Sequence, residues 1–230
     1  MRKRKSRYIK PIKIIFCIPG GPFSNNFLKS WTSLLGWCFT NNIEPKIINP
    51  QSPVVYYARN MCLGGDVRNG INQKPFNGKV VYDYIMWIDS DMVFTPNDFA
   101  TLLNMNLPIA SGLYKMKDDF NYATVCDMDD KYYIENGSYK FLNKDNIKDK
   151  PETFEVDYTG FGWILFKKGI FEKLEYPWFS PLWKEFETKN KMKEFTSEDV
   201  GICQKLKQVG SKIVVNKNLI IGHEKSCILK

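Results

Sequence analysis

The sequence predicts an α/β fold, a mixed sheet flanked by helices with an antiparallel C-terminal half. Apolar runs of strand length at residues 12–18, 80–88 and 109–114 alternate with segments whose apolar residues recur at helical spacing. The run ending at Ile88 is apolar enough to be covered on both faces, as central parallel strands are. After residue 120, short strand-like segments and turn signals replace that alternation.

Residues 12–18 (IKIIFCI) read as a buried strand, ended by Pro19, Gly20, Gly21 and Pro22. Phe27, Trp31, Leu34, Leu35, Cys38 and Phe39 then mark one face of a helix. Residues 46–48 form a short strand and 56–63 a helix, followed by a polar, glycine-bearing stretch over 64–78. After strand 80–88, Pro96 opens a helix with Phe99, Leu102 and Leu103 on one side. Residues 109–114 and 122–126 read as strands, 132–139 as a hairpin turning at Asn136-Gly137, and 143–151 as a charged loop. Residues 162–166 are a strand and 168–174 a short helix. An amphipathic helix over 196–209 starts with a capping-box pattern and stops at Gly210. Strands at 212–215 and 219–222 follow. The expected organisation is a basic flexible leader, 1–11, and one domain over 12–230.

With 43% apolar residues and 15% aromatics in 230 residues, the chain buries a real core and is not a disordered polyelectrolyte. No stretch approaches the roughly 18–20 apolar residues of a membrane-spanning helix. The basic start lacks the long apolar region of a secretory signal. The expected location is the cytoplasm, at the inner membrane surface if the leader engages lipid. Arg2, Lys3, Arg4, Lys5, Arg7, Lys10 and Lys13 carry nearly all of the net charge of +8, so the remainder is almost balanced. The leader is either a solvated tail or a weak contact for an anionic membrane; a nucleic-acid partner is not expected. None of the six cysteines lies in a C-x-x-C pair, and with one histidine a structural zinc site is not expected.

Three segments carry chemistry. Asp89-Ser90-Asp91 follows directly on the strand ending at Ile88. Ligands of open α/β sheets bind beyond such strand ends. Two carboxylates one residue apart repel each other unless a cation or donor groups stabilise them, and carboxylate oxygens suit Mg²⁺ or Mn²⁺. A solvated turn accounts for the same residue types. Ser197-Glu198-Asp199 opens a helix, where acids complement the dipole or supply a general base. His223, the sole histidine, follows an apolar strand and is either structural or a metal ligand.

Together these segments resemble, in order and spacing, the GT-A-fold glycosyltransferases, especially the family 2-like ones. Residues 57–60 (YARN), 92–103 (MVFTPNDFATLL), 109–114 (IASGLY), 159–166 (TGFGWILF), 177–179 (PWF), 200–210 and 212–215 extend the resemblance. It implies a GT-A-type, Rossmann-like sheet and transfer of a sugar from a nucleotide-diphosphate sugar to a glycan or glycoprotein acceptor, as in polysaccharide biosynthesis. Asp91 would ligate Mn²⁺ or Mg²⁺, His223 would complete the metal site, and Asp89 would face the ribose or the metal's water shell. Asp199 would be the base of an inverting reaction, supported by Glu198. Pro19, Gly20, Arg59 and Ser90 would lie near the nucleotide. Gly160 and Gly162 would let the backbone approach the sugars, and Trp163 or Trp178 would stack on a sugar or else pack in the core. A retaining transferase, a sugar nucleotidylyltransferase and a non-catalytic polyanion-binding module are the competing expectations.

Overall fold

The computed structural model describes residues 10–225, so all but the last two residues of the expected leader lie outside the described residues. The first half comprises β1 (Ile12–Cys17), α1 (Asn25–Thr40), β2 (Ile43–Ile48), α2 (Val55–Cys62), β3 (Tyr84–Ile88), β4 (Met92–Val93), α3 (Pro96–Asn104) and β5 (Ile109–Tyr114). The second comprises β6 (Thr124–Val125), α4 (Asp130–Asn136), β7 (Thr153–Val156), β8 (Tyr158–Thr159), β9 (Trp163–Lys167), β10 (Trp183–Glu185), β11 (Lys193–Phe195), α5 (Glu198–Gln208) and β12 (Ile213–His223).

The main sheet has the order β2-β1-β3-β9-β5-β12, with β4 and β7 both paired to β12. Strands β2, β1 and β3 are parallel, β9 inserts antiparallel between β3 and β5, and β12 runs parallel to β5. Strands β4 and β7 are antiparallel to β12. The C-terminal ends of β1, β3, β5 and β12 therefore point to one edge of the sheet.

Period-two burial on both faces holds the layers together. In β1, Ile14 and Phe16 face a cluster with Phe27, Leu34, Phe99 and Leu102 from α1 and α3. The alternate residues Ile15 and Cys17 face a second cluster with Cys62, Phe161, Phe179, Ile202 and Leu206, which brings in α2 and α5. Strand β3 divides likewise, Met86 and Ile88 to the first cluster and Ile85 and Trp87 to the second. Helix α1 is started by Ser24, whose hydroxyl accepts from the Phe27 N–H at 3.0 Å. Helix α3 carries a full capping box between Thr95 and Asp98.

Several expected elements differ. The hairpin expected over 132–139 is helix α4: Asp129 caps its N-terminus, and Gly137, at φ +71°, ends it in the left-handed conformation. An Asn-Gly pair serves a hairpin turn and a helix C-terminus equally, and the Asp129 cap decides for the helix. The two strands expected at 212–215 and 219–222 are one, β12, with a register shift between Val215 and Ile220. Strand β3 starts only at Tyr84, because Asp83 turns to the β1 backbone and accepts from the Lys13 N–H at 2.8 Å. The helix expected over 168–174 shrinks to a single 3₁₀ turn at Phe171–Lys173. The polar stretch after α2 is organised by buried Gln73, whose amide bonds the Asp66 N–H and the carbonyls of Asp66 and Gly70. The β10–β11 hairpin was not anticipated, because its Lys- and Glu-rich strands lack an apolar alternation.

Candidate functional site

Backbone pairing alone brings two of the three chemical segments together. Asp89-Ser90-Asp91 leaves β3 in a turn closed by the Met92 N–H on the Asp89 carbonyl at 3.2 Å. The chain then pairs as β4 with the end of β12, Met92 opposite His223 and Val93 opposite Gly222. This register places Asp91 beside His223, and the Glu224 N–H bonds the Asp91 carbonyl at 2.8 Å.

His223 Nδ1 lies 2.6 Å from the Lys115 carbonyl oxygen, and Nε2 lies 3.1 Å from Asp91 Oδ2. A carbonyl only accepts, so Nδ1 carries the proton. In the neutral ring Nε2 then turns a lone pair toward a carboxylate oxygen. Two acceptors at that distance call for a cation between them, either a second ring proton or a metal ion. A backbone carbonyl fixing the far ring nitrogen is the usual outer partner of a metal-binding histidine. Lys225 Nζ approaches the same Asp91 oxygen at 2.7 Å. Burial works to raise the Asp91 pKa, but the hydrogen bonds and charges of His223 and Lys225 outweigh it and lower it to about 2.

Asp89, expected to face the ribose or the metal's water shell, is turned to Arg59. Arg59 holds it, with Nη2 3.1 Å from one carboxylate oxygen and 3.2 Å from the other. Among the described residues no cluster of three His, Cys, Asp or Glu donors forms. A carboxylate and an imidazole nonetheless suit a Mg²⁺- or Mn²⁺-type cation whose remaining positions go to phosphate oxygens and water. Beside them, Lys115, Lys117, His223 and Lys225 line a cavity of about 500 Å³.

Arg59 ties the sheet edge to the third segment. It lies in the last turn of α2, 3% exposed, and its Nε bonds Glu198 Oε1 at 3.2 Å. The guanidinium lies 5.6–5.8 Å from the ring centroids of Trp87, Phe161 and Phe179. Nη1 is buried and has no acceptor among the described residues. Burial alone would lower the Arg59 pKa; the charges of Asp89, Glu198 and Asp199 outweigh it and raise it. Its neighbour Asn60 clamps residues 177–179 by bonding both the carbonyl and the N–H of Phe179. Glu198 is 9% exposed, and burial raises its pKa against the opposing charge of Arg59. Its carboxylate is turned to Arg59.

Asp199 sits half-buried in the first turn of α5. Oδ2 accepts from the Tyr158 hydroxyl at 3.0 Å, and Oδ1 from the Ser197 hydroxyl and the Val200 N–H. Ser197 occupies the N-cap position, yet its hydroxyl serves Asp199 in place of the capping bond expected from the sequence. Helix α5 can approach because Gly201 has no Cβ: one there would lie 2.2 Å from the Ser180 carbonyl oxygen.

Pro19 and Gly20 follow β1 on the same edge, Pro19 buried and Gly20 half-buried. Asn49 fastens this turn by donating to the carbonyls of Ile18 and Gly20 at 2.5 and 2.8 Å. Ser90 lies half-buried in the turn between β3 and β4. Both tryptophans take the core alternative, and the expectations for two glycines are corrected. Trp163 and Trp178 are fully buried, so neither presents a face to a sugar; Trp163 packs on Phe94 with ring centroids 4.7 Å apart. Gly160 and Gly162 are buried beneath Tyr114, not open toward a ligand. A Cβ on Gly160 would fall 1.9 Å from the Tyr114 hydroxyl, and one on Gly162 would fall 2.7 Å from Met92 Cε. Gly160→Ala is expected to cost about 1–3 kcal/mol in urea unfolding, with part regained in the Gly160→Ala/Tyr114→Phe double variant.

Tyr158, Lys225, the Lys115 carbonyl and the Tyr114 hydroxyl join the site although no sequence motif assigns them a role there. The Tyr114 hydroxyl oxygen accepts from the Gly162 N–H at 3.2 Å, and the ring packs edge-on against the His223 ring. Burial, then the charges of Asp89 and Asp199, raise the Tyr114 pKa.

No family model and no curated protein matches the chain. Among solved structures, the crystal structure of A197 from STIV resembles it with a TM-score of 0.53 at 17% identity, over 94% of this chain and 86% of that one. That likeness concerns the fold, a mixed α/β sheet flanked by helices. Among the described residues no helix is long and apolar enough to cross a membrane.

Proposed function

We propose that this chain is a GT-A-type glycosyltransferase, transferring a sugar from a nucleotide-diphosphate sugar to a hydroxyl of a glycan or glycoprotein. One observation carries the reading: the Asp91–His223 pair and the helix-borne Asp199 meet at the same sheet edge, joined through the Asp89–Arg59–Glu198 bridge. A cation site and a carboxylate base near one another are what displacement of a diphosphate by an alcohol requires.

Asp91 and His223 would hold Mn²⁺ or Mg²⁺, which when bound neutralises charge on the leaving diphosphate. Lys115, Lys117 and Lys225 line the same cavity together with Asp119, which pairs with Lys115. Asp199 takes the proton of the acceptor hydroxyl as its oxygen bonds to the anomeric carbon. The bond from that carbon to the diphosphate oxygen breaks, the nucleoside diphosphate leaves with the electron pair, and the configuration inverts. Tyr158 and Ser197 orient Asp199, and Arg59 holds α5 in place against the end of β3.

Thermal unfolding with a panel of nucleoside diphosphates and their sugars, with and without Mn²⁺, tests this. A bound donor at a hundred times its Kd stabilises by about 2.7 kcal/mol, roughly 5–10 °C in Tm for a chain this size. The expected result is a Mn²⁺-dependent rise with one nucleotide class that is absent in Asp91→Ala. Equal rises with and without Mn²⁺, or in Asp91→Ala, would remove the metal assignment.

A further inference from the structure

The β10–β11 hairpin and α4 enclose a cavity that shares only Ser197 with the transfer machinery above. It measures about 170 Å³, and Tyr133, Tyr139, Phe186, Phe195, Lys184 and Ser197 line it. Tyr133 stacks on Phe186 with centroids 4.7 Å apart at 12°, and Lys184 Nζ lies 5.2 Å from the centroids of both Tyr139 and Phe186. Polar groups interrupt the rings: Lys184 bonds Asp130 and the Tyr139 hydroxyl, and the Tyr133 hydroxyl reaches Glu194. At the mouth, Phe195 pairs with Trp183 across the hairpin, centroids 5.0 Å apart, and the two are 52% and 72% exposed. Solvated aromatics of this size, side by side, mark a surface that meets another molecule.

We propose that this cavity is the acceptor subsite and that its ligand is a pyranose ring of a glycan. Two observations select that chemistry. The wall alternates aromatic faces with an ammonium, a carboxylate and hydroxyls; a sugar presents C–H faces to the former and hydroxyls to the latter, whereas an acyl chain matches only the rings. And Ser197, which lines the cavity, bonds Asp199, so a ring seated here brings a hydroxyl toward the base. The placement rests on the transfer reading; the sugar site itself does not need it.

Trp183 supplies its own reporter. It is exposed, whereas Trp87, Trp163 and Trp178 are wholly buried and Trp31 and Trp37 half-buried. Acrylamide quenching of tryptophan emission in the full chain, without donor or metal, is titrated with the methyl glycosides of glucose, galactose, mannose and N-acetylglucosamine. One of them is expected to shield the quenchable fraction, and Phe195→Ala to weaken that binding by about tenfold. Saturation-transfer NMR on Trp183→Ala is expected to show the same loss with unchanged far-UV circular dichroism, which separates lost stacking from misfolding. No shielding by any of the four, or equal binding by Phe195→Ala, overturns the proposal. The nucleotide titration is read separately. Glycoside binding without a nucleotide shift leaves the sugar site standing and removes transfer; a nucleotide shift without glycoside binding removes this subsite alone.

Discussion

Arg59→Met is expected to destabilise the protein by about 3–5 kcal/mol, more than any surface substitution. Methionine keeps the packing against Trp87, Phe161 and Phe179 but leaves two carboxylates, Asp89 and buried Glu198, without their shared cation. Removing one partner of a buried ion pair exposes the full desolvation penalty of the other. The loss carries a pH signature. Burial already raises the Glu198 pKa above its ordinary 4.5, and without the opposing charge of Arg59 it rises further. A raised carboxylate pKa means that the folded state binds the proton more tightly than the unfolded state. The variant is therefore least impaired near and below pH 4.5, where both states are protonated, and loses stability as pH rises toward the folded-state value. Arg59→Met/Glu198→Gln is expected to regain part of the loss at neutral pH. Chemical denaturation across pH 4–8 checks all of this; a pH-independent loss would mean that packing, not charge, holds α5 to the sheet edge.

Asp199→Asn is expected to lower the turnover of sugar transfer by about 10²–10⁴ while leaving donor binding unchanged. The amide oxygen can still accept from the Ser197 hydroxyl and the Val200 N–H, and the amide N–H can donate to the Tyr158 oxygen, so α5 keeps its place, but no group remains to take the acceptor proton. Single-turnover rates with donor affinity measured alongside separate the two effects. Near-normal turnover would move the base elsewhere, and lost donor binding would mean that Asp199 acts on the nucleotide side.

Much of the architecture is local chemistry and was legible. The two-sided apolar runs of β1 and β3, the helical spacing over α1 and the proline start of α3 depend on residues near one another in the chain. Where local signals pointed two ways, the structure chose. Asn136-Gly137 suits a hairpin or a helix end, and the Asp129 cap decided. Trp163 and Trp178 suit a sugar face or a core, and complete burial decided. Asp89 suits a metal or a guanidinium, and Arg59, thirty residues away in sequence, decided.

By itself, then, the sequence determined the α/β alternation, the acidic turn after β3, the acidic start of α5 and the lone histidine after an apolar strand. These follow from side-chain period, turn residues and helix ends, which act over a few residues. Only the tertiary structure decided what each acid faces. The β4–β12 pairing sets His223 against Asp91, the fold brings the Lys115 carbonyl to the other ring nitrogen, and the packing of α2, β8 and α5 delivers Arg59 to Glu198 and Tyr158 to Asp199. A carboxylate's protonation and partner depend on burial and on charges within a few ångströms, and those neighbours come from chain positions up to 139 residues apart.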